Sequence, residues 1–188
     1  MADNSNDLAA TPLRAVLKRE TRDLHDRLDA SFASATLAGE RDYTEFLSVQ
    51  SAARTGIEAW VASQPPGTVA LPPVAGLIAA DLRALGAPVP PAQPFAFPND
   101  ADPIGVAWAL GGSALGNKAM LARRRRAGAS HAESFLSDPR TAVYFRALLP
   151  RLELMVAAHE AAAAVKGARA VFETFLSAMR RNALQAAA

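Results

Sequence analysis

The chain has no cysteine, which excludes disulfides, thiolate metal sites and a cysteine nucleophile. Aromatic residues make up only 6% of its 188 positions, and β-branched residues are sparse, so little of the chain reads as strand. No apolar run reaches the roughly 18–20 residues of a membrane span. The N-terminal "MADNSNDLAA" lacks the basic-then-apolar layout of a secretion signal, so the expected setting is cytoplasmic, with no membrane partner. Charge is nearly balanced, with 20 Lys+Arg against 18 Asp+Glu and a net charge of +2. That gives little reason to expect a nucleic-acid partner.

What is present is helical. Helix formers dominate and alanine-rich stretches fill the C-terminal third, so the expected fold class is all-α, one domain over residues 11–186 behind a frayed tail at 1–10. Thr11 and Pro12 suit the N-cap and first position of a helix over about 12–30. A second helix is expected over about 43–63, where Phe46, Val49, Ala53 and Ile57 recur at helical spacing. A shorter third helix lies in "PPVAGLIAADLRALG", with Gly86 as its C-terminal cap. The stretch "APVPPAQPFAFP" has five prolines in twelve residues and must be an extended connector. Helices over about 103–126, 138–159 with a bend at Pro150, and 161–185 complete the expectation.

Two segments carry chemistry. In "LKRETRDLHDRLD", His25 follows Arg22 by three residues, Thr21 by four and Lys18 by seven, which sets all four on one helical stripe. An imidazole flanked by two cations suits a flat ligand with a metal at its centre and carboxylates at its edge. The same spacing also describes an ordinary surface histidine in a charged helix. His131 and His159 have no second ligand at helical spacing and read as surface residues. No Glu-x-x-His pair occurs, which disfavours a carboxylate-bridged di-iron bundle.

The second segment is "GVAWALGGSALGNKAM", residues 105–120, with four glycines at 105, 111, 112 and 116. Each mid-helix glycine costs roughly 0.5–1 kcal/mol relative to alanine, so four together require a local reason. Gly112 and Gly116, one turn apart, present bare backbone that a neighbouring helix or a planar ligand can approach closely.

Together these segments resemble the heme oxygenase family, in particular its bacterial, bacteriophytochrome-associated branch. The first is similar to the family's opening helix, whose histidine is the proximal iron ligand. The second is similar to its distal helix, Gly-x-x-Tyr-Val-Leu-Glu-Gly-Ser-x-Leu-Gly. "DYTEFL" and "ARAVFETFLSAM" follow in the family's order, so the likeness spans about residues 12–180. Two positions depart from the pattern: Trp108 stands where tyrosine is usual, and Gly111 where glutamate is usual.

The resemblance implies a heme-oxygenase-like helical bundle with heme b, at once substrate and cofactor, between the first helix and the glycine helix. His25 would ligate the iron. Lys18, Thr21, Arg22, Trp108, Phe172, Phe175 and Arg180, with Arg181, would contact or anchor the macrocycle, and Gly112, Ser113 and Gly116 would form the distal oxygen-handling face. The implied reaction is oxidative cleavage of heme to biliverdin, CO and ferrous iron, with O2 and an electron donor such as a ferredoxin or a reductase, and a bacteriophytochrome as a possible recipient of biliverdin. The arginines of "RRRR", residues 123–126, read either as a solvated helix end opposing the helix dipole or as a docking patch for an acidic donor. Two rival readings stand beside this one. One is a heme-binding or sensory protein impaired in turnover, suggested by Gly111 and Trp108. The other is a thiaminase-like helical enzyme, against which the missing cysteine nucleophile counts.

Overall fold

A computed structural model describes residues 11–33 and 39–186; the expected tail at 1–10 lies outside the described residues. Eight helices are found among them: α1 (Leu13–Glu20), α2 (Arg22–Ala33), α3 (Glu40–Ser63), α4 (Ala75–Ala84), α5 (Ile104–Arg126), α6 (Ser134–Ser137), α7 (Arg140–Leu152) and α8 (Ala158–Ala186). No strand occurs among the described residues, so the fold is all-α, as expected.

The long α8 is the hub. α5 packs along it most extensively, α3 also packs on it, and so do α1 and α2. α7 backs α5, and α4 and α6 close the α3 side. Between α3, α5 and α8 sits a core of Val49, Ala53, Ile57, Val106, Leu110, Val171 and Phe175. Complete burial of a side chain such as Ile57 or Leu110 contributes about 1.5–3 kcal/mol.

Capping follows local chemistry in some places and distant partners in others. Gly86 ends α4 with φ +67°; Gly86 N–H bonds Arg83 O and Ala87 N–H bonds Leu82 O, the paired geometry in which glycine avoids a Cβ penalty. The start of α4 is capped from α3, where the Glu58 carboxylate accepts from Val74 N and Ala75 N. Asp81, buried, does the same for α6 through Ser134 N and Phe135 N. The proline-rich stretch after Ala87 is extended without helix or strand, as expected, and is tied to α3 by Gln93 N–H to Ala52 O.

Two expected elements are revised. The first helix divides at Thr21, with φ −115° and ψ 3°. Its hydroxyl donates to Leu17 O at 2.8 Å, a back-bond that bends helices. Thr11 does not cap α1: Pro12 occupies that position without a side-chain cap bond, and Leu13 N–H is instead satisfied by Leu154 O at 3.0 Å. The expected helix 138–159 is shortened to α7, which ends at Leu152, while α6 is a separate short helix just before it. Pro150 removes an amide donor in the last turn, and the chain beyond runs out to pair Met155 with Pro12.

Candidate functional site

The proximal side is built on α2. His25 is exposed, and its Nδ1 lies 3.3 Å from Asp29 Oδ2 one turn on and 3.9 Å from Asp26 Oδ1. A carboxylate facing Nδ1 holds the ring in one orientation and leaves Nε2 as the free nitrogen; Nε2 has no partner among the described residues. The imidazole ring meets Phe172 of α8 edge-on, 6.1 Å between centroids. Phe172 in turn meets Trp108 of α5 at 6.2 Å. A line of ring contacts therefore joins α2, α8 and α5, although α2 and α5 themselves scarcely touch.

The side anticipated as distal is the face of α5 that carries Trp108, Gly112, Leu115 and Gly116. A Cβ added at Gly116 would meet nothing within 4 Å, and one at Gly112 only the tip of Phe145 at 3.9 Å. Trp108 (half-buried), Gly112 and the exposed Leu115 and Gly116 follow one another at helical spacing. Leu115 is 70% exposed, which is unusual for leucine within a packed helix and leaves an apolar, bare-backbone stripe facing outward.

The other two glycines of α5 answer to packing. A Cβ at Gly105 would fall 2.0 Å from Ala164 O of α8. One at Gly111 would fall 2.8 Å from Phe145 Cδ2 of α7. Gly111 thus lies on the α7 side of the helix, and the glutamate usual there in the family pattern has no room unless Phe145 moves.

Of the residues anticipated for the site, His25, Phe172 and Trp108 come together. Lys18, Arg22, Arg180 and Arg181 are exposed, and none makes an ion pair among the described residues. Thr21 is 1% exposed and spends its hydroxyl on Leu17 O, so it faces the interior. Phe175 belongs to the central core with Val49 and Ile57. Ser113 turns toward α3: its Oγ donates to Leu110 O at 2.7 Å and accepts from Arg54 Nη2 at 2.8 Å.

The arginine run divides as well. Arg124 is buried, its guanidinium 3.4 Å from the centre of the Tyr43 ring, a close cation–π contact. Arg125 pairs with Glu133 at 2.8 Å. Arg123 and Arg126 make no ion pair among the described residues. Burial of Arg124 follows from its place on the α3-facing side of α5, so the run is neither a wholly solvated terminus nor a patch of four charges.

Sequence reasoning missed Asp29, Arg54 and Phe145. Asp29 was legible as an acidic residue four after His25 on the same helix. Arg54 and Phe145 take their roles from segments distant in the chain.

The stripe is exposed at Leu115 and Gly116. A cavity of about 120 Å³ lies elsewhere, between the start of α5 and α7, lined by Ile104, Ala107, Tyr144, Leu148 and Arg151; it is too small for a macrocycle and shares no residue with the stripe. No group of three or more His, Cys, Asp or Glu suited to a metal ion occurs among the described residues. A single histidine is thus what the chain offers a metal here, fewer ligands than a bare ion needs and the number that heme iron takes from one side.

The fold matches that of the NO- and CO-bound heme oxygenase from Neisseria meningitidis, with TM-score 0.67 and 92% of each chain covered, at 20% sequence identity. The chain has the heme oxygenase fold. No protein-family model and no curated protein matches it. No helix among the described residues is long and apolar enough to cross a membrane.

Proposed function

We propose that the chain is a heme oxygenase, cleaving heme to biliverdin, CO and ferrous iron. The observation that carries this reading is the pairing of a histidine with a free Nε2 on α2 with an open, bare-backbone apolar stripe on α5, bridged by Phe172 and Trp108, within a heme oxygenase fold. The residues fit heme on three counts. A lone neutral nitrogen suits a macrocyclic iron, an exposed apolar stripe suits the macrocycle face, and the exposed cations Lys18, Arg22 and Arg180 suit its carboxylates.

His25 Nε2 would hold the heme iron, with the Asp29 carboxylate facing Nδ1 and orienting the ring. Bound heme would supply both the iron that activates O2 and the ring that is opened. Gly112 and Gly116 put no Cβ on this stripe of α5, so a macrocycle there would be approached by backbone at these two positions. Trp108 and Leu115 would supply its apolar side-chain contacts. The Ser113 proton is committed to Leu110 O, so this hydroxyl faces any nearby water as an acceptor held in one rotamer. Lys18, Arg22 and Arg180 would fix the in-plane orientation of the macrocycle and hence which edge meets the distal space. Electrons would come from an acidic protein such as a ferredoxin, with Arg123 and Arg126 as the free cations on α5 to receive it, and biliverdin would pass to a bacteriophytochrome.

The second reading, heme binding without turnover, drew support from Gly111. That residue is on the α7 side of α5 and away from the open stripe, so the missing glutamate is answered by Phe145 and leaves the distal space untouched. The deciding experiment supplies hemin, ascorbate or a ferredoxin system, and air. Loss of the Soret band with growth of biliverdin absorption is expected; a persistent Soret band would favour the second reading.

A further inference from the structure

Arg54, like Arg124, is among the largest fully buried side chains, 1% exposed, and it makes no salt bridge among the described residues. Its Nε donates to Gln50 at 3.1 Å, its Nη2 to Ser113 at 2.8 Å, and its Nη1 has no partner among the described residues. The Phe135 ring lies 5.3 Å from the guanidinium carbon. Glu58, the nearest acid on its own helix, is one turn away and engaged with the α4 amides. Burial pulls the Arg54 pKa down to about 10, with Glu58 opposing the shift, so the side chain is cationic at neutral pH. An unpaired buried charge costs several kcal/mol, and an apolar residue of similar length is often no less stable there. Core packing alone therefore gives no reason for arginine. Its anchor, Ser113, directly follows Gly112 on the helix that carries the open stripe.

We propose that Arg54 is a positioning residue that, held by Ser113, places an uncompensated positive charge beneath the open face of α5, so that this face favours anionic over neutral small ligands. The inference rests on the heme reading. A bound anion on the distal face gains from the charge without displacing the guanidinium from Ser113, and a neutral ligand of similar size gains nothing.

The test uses the full chain loaded with hemin, azide as the anionic probe in the ferric state and CO as the neutral probe in the ferrous state. Arg54→Met should melt no lower than the wild type, yet bind azide roughly tenfold more weakly, the scale of one charge a helix width, about 10 Å, away in a partly screened site, with CO affinity unchanged. Arg54→Gln, which keeps a polar contact to Ser113 but no charge, should lose azide in the same way; Arg54→Lys should retain most of it. Should Arg54→Met not fold, the comparison of Arg54→Gln with Arg54→Lys decides. Equal azide affinity in charged and neutral variants, or azide and CO weakened in parallel, would overturn the inference while leaving the heme reading intact. Failure of the wild type to bind hemin would overturn both.

Discussion

The glycines of α5 serve opposite ends. Gly105 lets α5 and α8 come together backbone to backbone: a Cβ there would sit 2.0 Å from Ala164 O and 2.5 Å from Ala168 N. Gly167 on α8 makes room in the same way for the chain just ahead of α5, since its Cβ would fall 2.4 Å from Asp102 O. Further along the helix Gly116 faces open space and Gly112 nearly so. Glycine that a neighbouring backbone requires is structural. Glycine that nothing in the chain requires, on an exposed apolar stripe, points to something the chain does not itself contain. One helix thus holds an internal control for its own functional reading.

The largest effect should come from Gly105→Ala. The added methyl meets backbone that no rotamer change can move, and overpacking of this kind costs about 3 kcal/mol or more; urea unfolding should show that loss or no folded protein at all. Near-wild-type stability would show that α5 and α8 can separate at low cost, and the contrast between the two kinds of glycine would weaken.

Gly111→Ala should be milder. Its methyl would meet Phe145 Cδ2 at 2.8 Å, a side-chain atom that can turn aside, so a loss of about 1–2 kcal/mol is expected. Combining it with Phe145→Leu should recover part of that loss, and a double variant no better than the single would place the conflict elsewhere.

Gly116→Ala should have the smallest effect on stability and of the opposite sign, a gain of up to about 1 kcal/mol from helix propensity. On the present account it keeps histidine-ligated heme and slows biliverdin formation. Wild-type turnover in this variant would mean that nothing reactive approaches Gly116.

Much of this was legible in the sequence because it rests on local chemistry. Gly86 caps α4 through its own positive φ, the prolines after Ala87 exclude helix wherever they sit, and the period of α3 follows from Phe46, Val49, Ala53 and Ile57. His25, Trp108 and Phe172, singled out by the family resemblance, are linked by ring contacts through Phe172. What escaped depends on contacts between distant segments. Thr21 carries the same hydroxyl whether it faces a ligand or bonds Leu17 O, and only the bend in the helix turns it inward. Arg124 cannot be distinguished from Arg123 or Arg125 by type; the Tyr43 ring, 81 positions earlier in the chain, buries one of the four. The premature end of α7 reflects Pro150 acting with the pull of Pro12 and Leu13 on residues 154–155. Arg54 reads as a polar residue on a helix, and its burial emerges once Ser113 and Phe135 close over it.

The central claim is that His25 and the open stripe of α5 are two sides of one heme site. Hemin titration of the wild type and of His25→Ala, followed in the Soret region, tests it most directly. The wild type should take up one equivalent of hemin with a histidine-ligated ferric spectrum; His25→Ala should lose that spectrum and regain much of it when imidazole is added. An unchanged spectrum in His25→Ala would contradict the account and move the ligand to His131 or His159, neither of which faces the stripe's ring contacts with Phe172 and Trp108.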